Sequence, residues 1–206
     1  MLKRTMGRFL LIVLVVTGMA GTINNTSLSK HDRKNSIGLM RDTRTELQND
    51  LKNLSTRQII FRGTRDRISI RDCIYQLAGT ERKLWDLFES TMAAPVNPEK
   101  RTEIRMSDDE IVEFVENRSN DICQSELVGH EATHFKNTED AMTTFRNLRA
   151  KHIKYLKTTT EDLRNHVVHL SMGYVDCYQL CLVIAGFTER QMDQIREIRS
   201  QRGFPK

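Results

Sequence analysis

The sequence predicts an all-α protein, a four-helix bundle with a long excursion between its second and third helices. Three observations predict it. Only three prolines occur in 206 residues, and Pro95, Pro98 and Pro205 all fall outside the long periodic segments. Four segments of about 20 residues repeat apolar side chains with the 3.6-residue period of an α-helix. No segment shows the strict apolar–polar alternation of a half-buried strand. Amphipathic helices of that length bury their stripes by packing side by side.

The chain opens with Lys3, Arg4 and Arg8, followed by an almost wholly apolar run from Phe9 to Ala20, with small residues at Gly18, Ala20 and Gly21. This reads as a secretory signal over residues 1–20. The run is too short for a comfortable membrane span of roughly 20 residues. No cysteine follows it for a lipid anchor. The expectation is an exported protein, periplasmic or extracellular, with no membrane association after cleavage and with residues 21–206 as one domain. Three of the 32 basic residues and none of the 27 acidic ones lie in residues 1–20, so the remainder carries 29 − 27, a net charge of +2. Such a balance gives no basic stripe and argues against a nucleic-acid partner.

The first helix, about 29–53, places Ile37, Met40, Leu47, Leu51 and Leu54 on one stripe. The second, about 69–91, opens at Ser69-Ile70-Arg71-Asp72, where a serine can cap the helix and Asp72 can answer it. Its stripe is Ile70, Ile74, Leu77, Leu84 and Phe88. Within the excursion, Ser107 and Glu110 form a second capping box and start a short helix over 107–119. The third long helix, about 138–158, carries Ala141, Phe145, Leu148, His152 and Tyr155 in register. The fourth, about 174–200, carries Leu180, Ile184, Phe187, Gln191, Ile195 and Ile198 and stops before Gly203 and Pro205. Cys177 and Cys181 stand four apart on that helix, too far along it to bridge. With Cys73 and Cys123 they read mainly as small core residues.

His130-Glu131-Ala132-Thr133-His134 is a literal H-E-x-x-H. On a helix such a pair of histidines holds one zinc, and the glutamate activates a water. Here Gly129 precedes it and no apolar period runs through it, which predicts a loop rather than a helix. The match is therefore read as coincidental, and a zinc peptidase is the third of three functional readings.

"GYVDCYQLCLVIAGFTERQMDQIREIRSQRGFPK", residues 173–206, resembles the closing helix of the DinB-like (YfiT-like) bundles in Gly173, Asp176, Tyr178, Gln179, Ala185, Thr188, Arg190, Gln194 and Phe204-Pro205-Lys206. The second helix is similar to the same family's Ser-Ile-x-x-Cys-x-x-His-Leu-Ala-x-x-Glu run in Ser69, Ile70, Cys73, Leu77, Ala78 and Glu81. The resemblance covers roughly residues 30–206. It implies a divalent metal held by one histidine of helix two and two of helix four. Those positions read Gln76, Phe187 and Gln191 in this chain. Two carboxamides and a phenyl ring do not replace three imidazoles, so a degenerate metal site is expected. The resemblance also sets residue 76 level with the midpoint of 187 and 191. That puts Cys73 and Cys177 at least roughly 13 Å apart along the bundle and excludes a bridge between them.

Tyr75, Trp85, His152 and Glu189 are candidate lining residues of the former metal cavity. For His152 the alternatives are a replacement ligand or a core histidine, the second being favoured. Glu189 and Arg190 read as an interhelical ion pair rather than an acid–base couple. The leading functional reading is an exported, metal-free binding or structural bundle, leaning away from an enzyme, with no catalytic residues and no cofactor. Its partner would be a small-molecule ligand in the bundle cavity, and self-association is compatible with it. The second reading is a metal-dependent hydrolase or thiol transferase whose site has been rearranged, using zinc, nickel or manganese.

Overall fold

The computed structural model describes residues 28–63, 68–117, 119, 127–128 and 135–206. In chain order its elements are α1 (Lys30–Leu51), α2 (Thr56–Ile59), α3 (Ile70–Ala93), a 3-10 turn (Pro98–Glu103), α4 (Asp108–Glu116), α5 (Thr138–Thr158), β1 (Val167–Leu170), β2 (Gly173–Asp176) and α6 (Cys177–Ser200). The four long helices α1, α3, α5 and α6 are the bundle, and α4 lies within the excursion that joins α3 to α5.

Local sequence sets the helix starts. Ser69 Oγ accepts from the Asp72 amide at 3.3 Å while Asp72 Oδ2 accepts from the Ser69 amide at 2.9 Å, closing a reciprocal cap on α3. Ser107 and Glu110 do the same for α4. The stripes expected on α3 and α6 are buried along their whole lengths.

Side-chain pairs across the bundle give its topology. Asn35 meets Tyr178 and Asp50 meets Arg196, so α1 and α6 run parallel. Glu81 meets Arg149 and Glu89 meets Lys151, with Phe88 against Tyr155, so α3 and α5 also run parallel. Gln76 meets Gln191 while Arg149 joins Glu81 to Thr188, which makes α3 and α6 antiparallel. The order is up, down, down, up. Because α3 and α5 point the same way, the chain must travel back along a helix of 24 residues, about 36 Å, before α5 can start. The long excursion is a consequence of that direction.

From Cys177 to Thr188 every residue of α6 is buried. α4 covers its outer side at Gly186, where an added Cβ would sit 3.5 Å from Val115 Cγ1 and 3.6 Å from the Val112 carbonyl. A helix apolar all round must be enclosed all round, and α4 completes the enclosure.

Two expectations are corrected. The chain is not free of strand: β1 and β2 form a small antiparallel hairpin, Leu170 opposite Gly173, with Gly173 at φ +119°. The fourth long helix therefore begins at Cys177 and not near residue 174. Asp176 stops the strand and starts the helix, since its carboxylate accepts from the Gln179 amide at 2.8 Å and its own amide donates to Gln179 Oε1 at 3.3 Å. The second correction is on α5, where Arg149 rather than Leu148 turns into the core.

Candidate functional site

α3 brings Gln76, and α6 brings Gln191, to one place between the helices. Gln191 Nε2 donates to Gln76 Oε1 at 3.1 Å. Gln191 is buried, and its Oε1 has no hydrogen-bond partner. Phe187, one turn earlier on α6, is 1 % exposed. The two carboxamides thus spend one donor and one acceptor on each other, and the third position is a phenyl ring. This donor set does not fit a divalent ion of the zinc, nickel or manganese kind, which needs imidazole, thiolate or carboxylate ligands in number. Among the described residues no three histidine, cysteine, aspartate or glutamate side chains are placed to hold a metal.

The other candidate residues stand elsewhere. Tyr75 packs its half-buried ring against Phe135, centroids 5.8 Å apart, and Arg82 lies over the same Phe135 ring. Glu189 accepts from Arg196 Nη1 at 3.1 Å within α6, and Arg196 in turn reaches Asp50 and Glu46 of α1. Burial nonetheless raises the Glu189 carboxyl above its usual range. Arg190 does not pair with Glu189; its guanidinium donates to the Asn117 carbonyl beyond the end of α4. Trp85 is nine residues along α3 from Gln76, about 13 Å of helix.

At that level the bundle holds a buried polar cluster. Arg149 donates from Nε to Glu81 Oε1 at 2.8 Å and from Nη2 to Glu81 Oε2 at 2.6 Å. Its remaining contacts are Thr43 Oγ1 and the Met40 carbonyl on α1, and Thr188 Oγ1 on α6. One guanidinium on α5 therefore joins the other three long helices. Burial would raise the Glu81 carboxyl, but the charge and hydrogen bonds of Arg149 hold it down to about 2. His152 is fully buried, stacked on Trp85 with centroids 3.7 Å apart. Its Nδ1 lies 2.8 Å from Glu81 Oε1 but outside hydrogen-bonding geometry, so neither ring nitrogen has a hydrogen-bond partner. Burial lowers the imidazole's pKa more than the neighbouring Glu81 raises it. Glu81, Arg149 and His152 are each no more than 2 % exposed.

Cys177 and Cys181 are free, buried thiols, so no 73–177 bridge exists. Burial pushes Cys177 up to about 12 and Cys181 well above its ordinary value, so neither supplies a thiolate at neutral pH. Residues 1–20, where a secretory signal is expected, Cys123 and the H-E-x-x-H of His130, Glu131 and His134 lie outside the described residues. No helix among the described residues is long and apolar enough to cross a membrane.

Arg149 and Thr43 were not singled out as site residues by sequence. Arg149 falls on the apolar stripe of α5 at the i+4 step from Phe145, which was the available signal.

No protein-family model and no curated protein matches the chain. Among solved structures it is similar to YfiT from Bacillus subtilis, described as a probable metal-dependent hydrolase with an unusual four-helix bundle topology. The likeness has a TM-score of 0.59 and 12 % sequence identity, and covers 87 % of this chain and 92 % of YfiT. The chain has the YfiT four-helix-bundle fold.

Proposed function

We propose that this protein is an exported DinB-like bundle that works without the family's metal, as a binding or structural protein rather than a hydrolase. The observation that carries the reading is the Gln191–Gln76 hydrogen bond, which ties together two of the three positions where the resemblance puts metal ligands. Phe187 supports it by filling the third with a buried ring. The unpartnered Gln191 Oε1 is a buried acceptor that a small ligand with an N–H or O–H donor would satisfy.

Two measurements test the reading. The purified protein should hold less than about a tenth of an equivalent of zinc, nickel or manganese after brief dialysis. Stoichiometric, tightly bound metal by elemental analysis would overturn it and favour the rearranged hydrolase or transferase. Substituting His130→Ala and His134→Ala then separates a peptidase-like site from any other. The second measurement restores the family set with Gln76→His, Phe187→His and Gln191→His. Losing one core aromatic should make the metal-free triple variant less stable by about 1–3 kcal/mol. Zinc or nickel should return much of that stability by binding the folded state. If metal stabilises the parent by several degrees, or the triple variant not at all, these positions are not a metal site that has lost its ligands.

A further inference from the structure

At the far end of the bundle from Gln76, about 18 Å along α3, a groove of about 300 Å³ lies between α3 and α5, with Trp85 and Phe88, each no more than 2 % exposed, beneath its surface. That volume sits at the lower limit of small-molecule sites. Its floor is aromatic and apolar. Trp85 stacks on Phe88 with centroids 4.5 Å apart, Tyr155 stands perpendicular to both, and Met92 and Ala93 continue the surface.

The charges on its rim are unequal. Glu89 Oε1 accepts from Trp85 Nε1 at 2.8 Å and from Lys151 Nζ at 2.9 Å, so its charge is compensated within the protein. Glu161 is different. Tyr155 Oη and Thr159 Oγ1 both donate to its Oε2, and no cationic side chain pairs with it among the described residues. The tyrosine hydroxyl holds this carboxylate at the groove's edge, and Oε1 is left for another donor. We infer that the groove binds a small organic cation, an ammonium on an apolar body, with the body on Met92, Ala93 and the edge of the aromatic stack and the charge against Glu161 and the Tyr155 ring. An uncharged apolar molecule would gain nothing from the exposed carboxylate, and an anion would face it directly. A bare metal ion would gain nothing from the floor. The cation–π contribution of Tyr155 and the carboxylate act on the same end of the ligand.

This inference goes beyond the metal-free reading and does not depend on it. The chain has a single tryptophan, Trp85, so its emission reports the groove without labelling. The purified full chain is titrated with phenethylammonium chloride and, in parallel, with uncharged 2-phenylethanol. Saturable change with the ammonium is expected, with binding about five- to tenfold weaker for the alcohol and for Glu161→Gln. Ala93→Phe, which fills the groove, should abolish the change while keeping the parent's helical circular dichroism. Equal binding of alcohol and ammonium, equal binding by Glu161→Gln, or no saturation with the parent would overturn the inference.

Discussion

Arg149 has no exposed surface, and its guanidinium makes five hydrogen bonds to oxygens of the protein. The pair with Glu81 is worth little as attraction alone, since taking both ions out of water offsets most of the gain. Its worth is conditional: removing one partner leaves the other charged and buried. Arg149→Met should therefore cost about 3–5 kcal/mol, whereas Arg149→Met with Glu81→Leu should recover most of that loss. Urea unfolding of the parent, the single variant and the double variant checks the non-additivity; equal losses in both variants would mean that packing volume, not charge, is at stake. The neighbouring His152 sets a pH dependence. Burial lowers its folded-state pKa below the ordinary 6.5, so the unfolded chain takes up the proton first. Its contribution is complete above about pH 6.5 and is lost as pH falls through that value and below. Glu81 acts later, because a carboxyl depressed from 4.5 to about 2 loses its contribution only as pH falls through that lower range. Between pH 7.5 and 5, then, the parent's melting temperature should fall, and His152→Phe, which retains a ring on Trp85, should flatten the fall. An unchanged slope would show that the imidazole binds its proton equally well in the folded and the unfolded chain.

At the level of elements, helix starts and stripes were legible because they are local. A serine answered three residues later by Asp72 or Glu110 needs nothing from the rest of the chain to form its cap. The hairpin was not legible for the complementary reason: two strands of four residues gain stability only from each other and from the bundle end they cover. Arg149 was missed because a charged side chain counts as solvent-facing until its partner, 68 positions away, is known. The close approach of α4 to α6 hinges on Gly186, which a sequence reading treats as a helix weakness. The space there decides the sign of a substitution. A methyl group would meet Val115 and the Val112 carbonyl at ordinary contact distances, so Gly186→Ala should be neutral or stabilising by up to about 1 kcal/mol through helix propensity. Gly186→Leu must push α4 away and should cost about 1–3 kcal/mol. Thermal melts of both variants check this. A loss with alanine would mean that the two helices have no room to give.

For the molecule as a whole, four long helices could be counted from periodicity, and the Gln76–Gln191 meeting could be anticipated from the resemblance. Helix direction could not be read from any stripe. The groove beside Trp85 exists because α3 and α5 run parallel and bring Phe88 to Tyr155, which only the assembled bundle shows. The same assembly brings the starts of three helices to one end. Asp32 lies in the first turn of α1, Asp108 opens α4, and Asp176 caps α6. Arg164, from the segment before the hairpin, joins them all. Its Nη1 donates to Asp108 at 3.0 Å and to Asp176 at 3.1 Å, its Nη2 to Asp32 at 3.1 Å and to Asp108 at 2.8 Å, and its plane lies 3.9 Å from the centre of the Tyr178 ring. Burial pushes the Asp176 carboxyl up despite this partner, whereas Asp108, also partly desolvated, is held below its usual range by the guanidinium. Arg164→Leu would leave three carboxylates facing one another. With the arginine side chain about a fifth exposed, the expected loss is about 2–3 kcal/mol at neutral pH, below the range for a fully buried pair. The pH dependence of that loss identifies its cause. Without the guanidinium, the folded-state pKa values of Asp108 and Asp176 rise, and a carboxyl raised above its unfolded value destabilises most at high pH. Protonation relieves the repulsion, so the gap in melting temperature between variant and parent should narrow from pH 7 to pH 4.5. A gap that stays constant over that range would mean that Arg164 holds the helix starts together through its stacking on Tyr178 and not through its charge.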